Sequence, residues 1–111
     1  MKLRVFKQGA IVVLAPEEPI MGEAVEAFSE KVDEVIDEGE NKIIIDFGTV
    51  PFIDSAGLEM MLAALSKARQ AGGKIKVANP NAICSDILRV TRLSNFLEVY
   101  EETDEARRSF L

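Results

Sequence analysis

Short β-branched runs alternate with amphipathic helical patterns along most of this chain, and this alternation limits the possible folds more than any other feature. The run "KIIIDF" is apolar over three consecutive β-branched residues, which is typical of a strand covered on both faces, and "KIKVA" is predicted to be another strand. Between such runs, apolar residues recur at steps of three and four, as they do on one face of a helix. Strands joined through helices form a mostly parallel sheet by crossover connections, so we predict an α/β fold.

The chain is predicted to open with an antiparallel hairpin, because "LRVFK" alternates apolar and polar residues and "AIVVLA" follows across the turn-compatible pair Gln8-Gly9. Four helices are predicted. The first runs from Met21 to about Gly39, the second from Ser55 to about Ala71, and the fourth begins at Asp104. The third follows "NPN", and its apolar side is predicted to carry Ile83, Ile87, Leu88 and Val90. With "FLEVY" as the last strand, the predicted order is β-β-α-β-α-β-α-β-α, a mixed sheet with about four helices. A chain of 111 residues has the usual size of one domain, so we expect a single domain spanning residues 1–111.

The scarcity of histidine and cysteine excludes several classes of chemistry. The chain has no histidine and one cysteine, Cys84, so a Ser-His-Asp triad, a Cys/His metal site and an internal disulfide are all excluded. We therefore expect no hydrolase of this type, no metal and no cofactor. Cys84 lies on the apolar side of the third predicted helix and is expected to behave as a small buried hydrophobic residue.

The charge balance limits the kinds of partner. A net charge of −6 repels phosphate backbones and anionic lipid surfaces, so we expect no nucleic acid partner and a preference for a basic protein surface. The apolar run from Ala10 to Ala15 is far shorter than the roughly 20 residues that cross a bilayer. We therefore expect no membrane insertion and a cytoplasmic, reducing location.

The segment "FIDSAGL" places Asp54 and Ser55 where a strand is predicted to give way to a helix. Either residue is a favoured helix N-cap, an effect of about 1 kcal/mol. Capping does not explain Gly57, which costs roughly 1 kcal/mol relative to alanine inside a helix. Ala56 and Gly57 would leave the backbone open to close approach by a second protein. A phosphate on Ser55 would be tolerated at a helix amino terminus, but it would repel an acidic surface, so Ser55 is a possible switch.

These residues resemble the STAS family, specifically the bacterial anti-sigma factor antagonists. The resemblance covers about the last two-thirds of the chain, through a strand ending in Asp46, then "FIDSAGL", "AGGKIKVANPN" and "LRVTRLSNFLEVYEETDEA". It implies a STAS fold and a binding protein without catalysis of its own. It also implies that an ATP-dependent anti-sigma factor kinase phosphorylates Ser55 and that a PP2C-type phosphatase removes the phosphate. The unmodified protein would hold the kinase and free its sigma factor.

Carried onto this sequence, the resemblance makes Ser55 the phosphoacceptor. The residues expected to form or support the partner surface are Asp46, Asp54, Ser55, Ala56, Gly57 and Leu58. One segment departs from the family pattern: antagonists often carry a G-E-L-D type sequence after the second strand, whereas this chain has "APEEPIMGE" from Ala15 to Glu23. Asp46 has a second interpretation, because a carboxylate at a strand end often accepts backbone N–H bonds.

Other interpretations predict different partners or folds. A STAS subunit of an ABC-type lipid transport assembly would use the same fold without modification of Ser55. An acyl carrier also places a serine after an aspartate at a helix start, but carriers are helical bundles. A receiver domain would use Asp46 as the phosphoacceptor, but an opening hairpin does not suit its topology.

Two pairs of residues have two interpretations each. Met60 and Met61 either fill the core or line the contact face, and Arg89 and Arg92 either flank the partner site or lie on a solvated helix face.

Overall fold

The computed structural model describes residues 1–111 and contains one five-stranded sheet in the order β1-β2-β3-β4-β5. Its first pair of strands is antiparallel and every other neighbouring pair is parallel. The predicted order of strands and helices is confirmed, and the hairpin excludes the receiver topology. The strands are β1 Leu3–Gln8, β2 Ile11–Pro16, β3 Lys42–Asp46, β4 Lys74–Ala78 and β5 Glu98–Tyr100.

Four helices connect or follow these strands: α1 Glu23–Asp37, α2 Ser55–Gln70, α3 Ala82–Val90 and α4 Thr103–Arg108. The predicted start of α1 at Met21 is wrong by two residues. Gly22 has a φ of 57°, outside the helical region, and it forms the N-cap, so the helix begins at Glu23. None of these helices combines the length and the apolar character that crossing a membrane requires.

The two faces of the sheet are covered unequally. The larger core contains buried side chains from α1, α2 and α3 packed on the sheet, and it includes Met60, Met61 and Cys84. The two methionines therefore fill the core, and the expected burial of Cys84 is confirmed. The prediction for α3 was partly wrong, because Ile83 and Val90 are 58% and 66% exposed.

The second face of the sheet is covered by the short helix α4 and the residues that follow it. A smaller core of Ile11, Val13, Ile44, Ala78 and Ala106 lies beneath that helix. Beside it, the buried Lys76 ammonium donates to the Ser109 hydroxyl at 2.8 Å and lies 3.5 Å from the Glu98 carboxylate. The Phe110 ring centroid is 4.1 Å from the same nitrogen. These contacts attach the end of the chain to β4 and β5.

Candidate functional site

Ser55 lies where the parallel strands end. In a parallel α/β sheet the carboxyl ends of the strands meet at one edge, which we call the carboxyl edge, and ligands commonly bind there. The chain leaves β3 at Asp46 and returns along this edge to begin α2 at Ser55. Asp54 is the N-cap of α2, and its Oδ1 atom accepts a 2.8 Å hydrogen bond from the Gly57 N–H. Asp54, not Ser55, therefore caps the helix.

The Ser55 hydroxyl is available at the surface. Ser55 is the first residue of α2 and is exposed. No side-chain hydrogen bond in the structure involves its oxygen, because Asp54 already satisfies the amide group that a serine cap would bind. Ala56 is exposed beside it. A group that approaches from solvent can therefore reach the oxygen without breaking an internal contact.

Gly57 has a different role from the one predicted. It is buried, and a Cβ atom at this position would lie 2.7 Å from the Ile20 carbonyl oxygen and 2.7 Å from Ile53 Cγ1. The prediction that Gly57 leaves space for a second protein is wrong, since the protein's own backbone and side chains fill that space. Gly57 instead allows α2 to pack closely against the loop that precedes α1.

That loop is bonded directly to the segment before Ser55. The Ile20 N–H donates to the Phe52 carbonyl at 3.0 Å, and the Asp54 N–H donates to the Ile20 carbonyl at 3.2 Å. Gly22 adds a 3.4 Å bond from its N–H to the Asp54 carboxylate. The segment that departs from the family pattern thus lies against the Ser55 segment.

Sequence reasoning missed the apolar part of this surface. Met21 and Phe52 flank the bonded pair Ile20 and Ile53, and they are 45% and 40% exposed. The spacing of Met21 from Val25 fits a helix, so the sequence predicts Met21 as the first residue of α1, whereas it lies in the loop before that helix. Phe52 had one signal: it immediately precedes the apolar Ile53, and neighbouring residues of an extended segment face opposite sides, so only one of the two side chains is expected to be buried.

Asp46 is held by two hydrogen bonds that tie three segments together. Its Oδ1 atom accepts from the Gly48 N–H at 2.8 Å, and its Oδ2 atom accepts from the Thr103 hydroxyl at 3.3 Å. The carboxylate makes no hydrogen bond to Asp54 or Ser55. The interpretation of Asp46 as a strand-end acceptor is confirmed, while its predicted part in a partner surface stays a prediction.

Leu58, Arg89 and Arg92 are the other predicted contact residues. Leu58 is half-buried and packs against the larger core, so part of its side chain still faces solvent. Arg89 and Arg92 are exposed, and Arg89 is paired with Asp86 at 3.1 Å. The arrangement of Arg89 is that of an ordinary solvated helix face.

The carboxyl edge is strongly acidic. The end of β3 and the loops that follow β2, β3 and β5 carry Glu17, Glu18, Asp46, Asp54, Glu101 and Glu102, whereas the loop after β4 carries no acid. Of these six carboxylates only Glu17 forms an ion pair, with Arg4 at 3.8 Å, while Glu18 accepts a hydrogen bond from the neutral backbone N–H of Lys2. Added negative charge at Ser55 would therefore enter a field that is already negative.

Comparisons with known proteins agree with this architecture. The family model described as the STAS domain matches residues 2–106. A protein of Thermotoga neapolitana described as a candidate anti-sigma factor antagonist is 29% identical over 97 residues, which cover 86% of each chain. The crystal structure of a Thermotoga maritima protein with the same description has a TM-score of 0.91 at 26% identity, and it covers 96% of this chain and 92% of that one. The Bacillus cell fate determinant SpoIIAA in its phosphorylated form shares the fold, with a TM-score of 0.73 at 21% identity over 96% of this chain and 98% of that one.

Proposed function

The chain belongs to the STAS domain family, and from that premise we propose that it is an anti-sigma factor antagonist switched by phosphorylation. The unmodified protein binds an anti-sigma factor serine kinase and thereby releases the sigma factor. The kinase transfers the γ-phosphoryl group of ATP to the Ser55 hydroxyl, and the phosphorylated protein no longer binds. A PP2C-type phosphatase hydrolyses the phosphate ester and restores binding. In this proposal the chain is a cytoplasmic binding protein that has no catalytic activity or cofactor of its own.

The observation that carries the proposal is the free Ser55 hydroxyl. A phosphoacceptor must reach into a kinase active site, so it has to be exposed and unbonded. Ser55 meets both conditions because Asp54 caps the helix. The names of the relatives support the same function.

The environment of Ser55 explains why a phosphate would end binding. Phosphate adds about −1.5 to −2 charges at neutral pH. The helix amino terminus tolerates that charge within the free protein. A kinase surface that packs against Met21 and Phe52 would instead have to bury the new charge beside an acidic edge.

The first experiment incubates the protein with the kinase encoded beside it and ATP, and then maps the modified residue by mass spectrometry. We expect one phosphate, about 80 Da, on Ser55. Ser55→Ala should abolish incorporation but keep kinase binding, whereas Ser55→Asp should weaken binding. Ser66→Ala is the matched control, because Ser66 is exposed in the same helix.

Other outcomes would contradict the proposal. Full labelling of Ser55→Ala would place the phosphate elsewhere, and equal kinase affinity of the alanine and aspartate variants would remove the switch. Co-purification with an ABC-type ATPase and no modification of Ser55 would favour the transport subunit. A phosphopantetheine adduct of about 340 Da would indicate an acyl carrier, although the five-stranded sheet already excludes a helical bundle.

A further inference from the structure

The edge of the sheet opposite Ser55 carries a concentration of positive charge that the proposed function does not use. A shallow hollow of about 480 Å³ lies there, where β3 and β4 begin and α2 ends. It is lined by Asn41, Lys42, Arg69, Gly72, Gly73, Lys74 and Phe110, a set that we call the basic groove. Three of these seven residues are cations and none is acidic, in a chain whose net charge is −6.

The cations of the basic groove are only partly compensated. Lys42 and Lys74 are direct partners in the parallel register of β3 and β4, so their side chains leave the same face of the sheet side by side. Like charges at facing positions destabilise a sheet. Glu98 neutralises Lys74 at 3.0 Å, but neither Lys42 nor Arg69 forms an ion pair with any carboxylate.

Apolar surface continues from both ends of the groove. Phe110 forms one wall of it. On the other side a second hollow of about 280 Å³ shares Arg69, Gly73 and Lys74 with the basic groove and extends to Phe96, which is 66% exposed. Gly72 has open space where a side chain would lie, so a ligand can approach the backbone there, whereas Asn41 packs directly against Gly73. The surface therefore has cations in its centre and an aromatic ring at each end, and the second hollow also contains Glu98, the partner of Lys74.

The position of Arg69 has a simple explanation, because a cation near the carboxyl end of a helix stabilises that helix. This stabilisation does not explain the convergence of Lys42, Lys74 and Phe110 from three other segments. We infer that the basic groove binds an acidic segment of a partner protein, with the central cations pairing carboxylates and the two phenylalanines contacting apolar side chains. This site lies away from Ser55, so both surfaces can be occupied together, and the inference does not depend on the proposed function.

The test uses a synthetic peptide of repeated Glu-Glu-Phe as the probe and follows backbone amide signals of the full chain by NMR. We expect the signals of Lys42, Gly72, Gly73 and Lys74 to shift, with those of Ser55 and Ala56 unchanged. A Lys-Lys-Phe peptide should shift none of them. Lys42→Glu and Arg69→Glu should each weaken binding about two- to fivefold, the range for one exposed ion pair.

Arg108→Glu is the matched control, because Arg108 is exposed, unpaired and outside both hollows, and it makes the same change in net charge. Amide spectra of each variant report whether it is folded, and the exposed Arg69 provides a test even if Lys42→Glu is unstable. Equal weakening by Arg108→Glu would show non-specific charge attraction and overturn the inference. Peptide-induced shifts elsewhere, or binding to vesicles containing phosphatidylserine but not to the peptide, would also overturn it.

Discussion

Around Ser55, neighbouring residues take separate structural roles, and this division leaves one hydroxyl free. Asp54 caps the helix through the Gly57 N–H, and Gly57 packs against Ile20 and Ile53. Ser55 is then needed for neither task. The residue types of "DSAG" were visible in the sequence, but which of them caps and which packs depends on a loop more than 30 residues earlier.

Gly57→Ala tests the packing role. The added methyl group would overlap the Ile20 carbonyl and Ile53, and overpacking costs about 1–3 kcal/mol. Alanine has a higher helix propensity than glycine, which stabilises the variant by roughly 1 kcal/mol. We therefore expect the free energy of unfolding, measured by urea denaturation, to fall by up to about 2 kcal/mol.

Gly48→Ala is the comparison for that measurement. A Cβ atom at Gly48 would meet the end of the Asn79 side chain at 2.5 Å, which can rotate away, so we expect a smaller loss than at Gly57. If both variants lose the same stability, or if Gly57→Ala is more stable than the parent, the packing role assigned to Gly57 is wrong.

At the level of elements, the sequence pattern predicted the five strands and four α-helices, because most of these segments bury apolar residues of their own, although β1 buries none and the single-turn 3-10 helix Leu93–Asn95 was missed. The pattern failed where distant segments decide the structure. The loop containing Ile20 lies against the Ser55 segment through backbone bonds that no local pattern encodes. Exposure of Met21 and Phe52 follows from that contact, and so does the burial of Gly57. Lys76 is buried for a similar reason, since its partners come from β5 and the end of the chain.

The hydrogen bonds of Glu98, the first residue of β5, predict a dependence of stability on pH. The hydrogen bond from the Tyr100 hydroxyl, followed by that from Lys74, lowers the pKa of the Glu98 carboxyl. A carboxylate whose pKa is lower in the folded state stabilises the fold above its unfolded pKa, about 4.3 for glutamate, and loses that contribution as the pH falls through the folded value.

Glu98→Gln should therefore reduce the drop in unfolding free energy between neutral pH and about pH 3. Glu101→Gln is the control, because Glu101 is exposed and forms no ion pair or side-chain hydrogen bond. Chemical denaturation at several pH values measures both. The assignment fails if the two variants show the same pH dependence as the parent.

On the scale of the whole molecule, charge is distributed unevenly between the two edges of the sheet. The carboxyl edge, where Ser55 lies, carries six acidic residues, and the opposite edge carries the basic groove together with Glu38 and Glu40 of the loop before β3, of which Glu40 is paired with Lys7. A basic partner is therefore suited to the Ser55 surface and an acidic partner to the groove. Both interactions should weaken as salt concentration rises, because screening reduces attraction between exposed charges.

The affinity of the kinase for the unmodified protein, compared with its affinity for the same protein fully phosphorylated at Ser55, tests the central claim most directly. Isothermal titration calorimetry gives both values, and phosphatase treatment of the modified sample controls for damage. We expect phosphorylation to weaken binding by about tenfold or more, with full recovery after dephosphorylation. Equal affinities of the two forms would contradict the account.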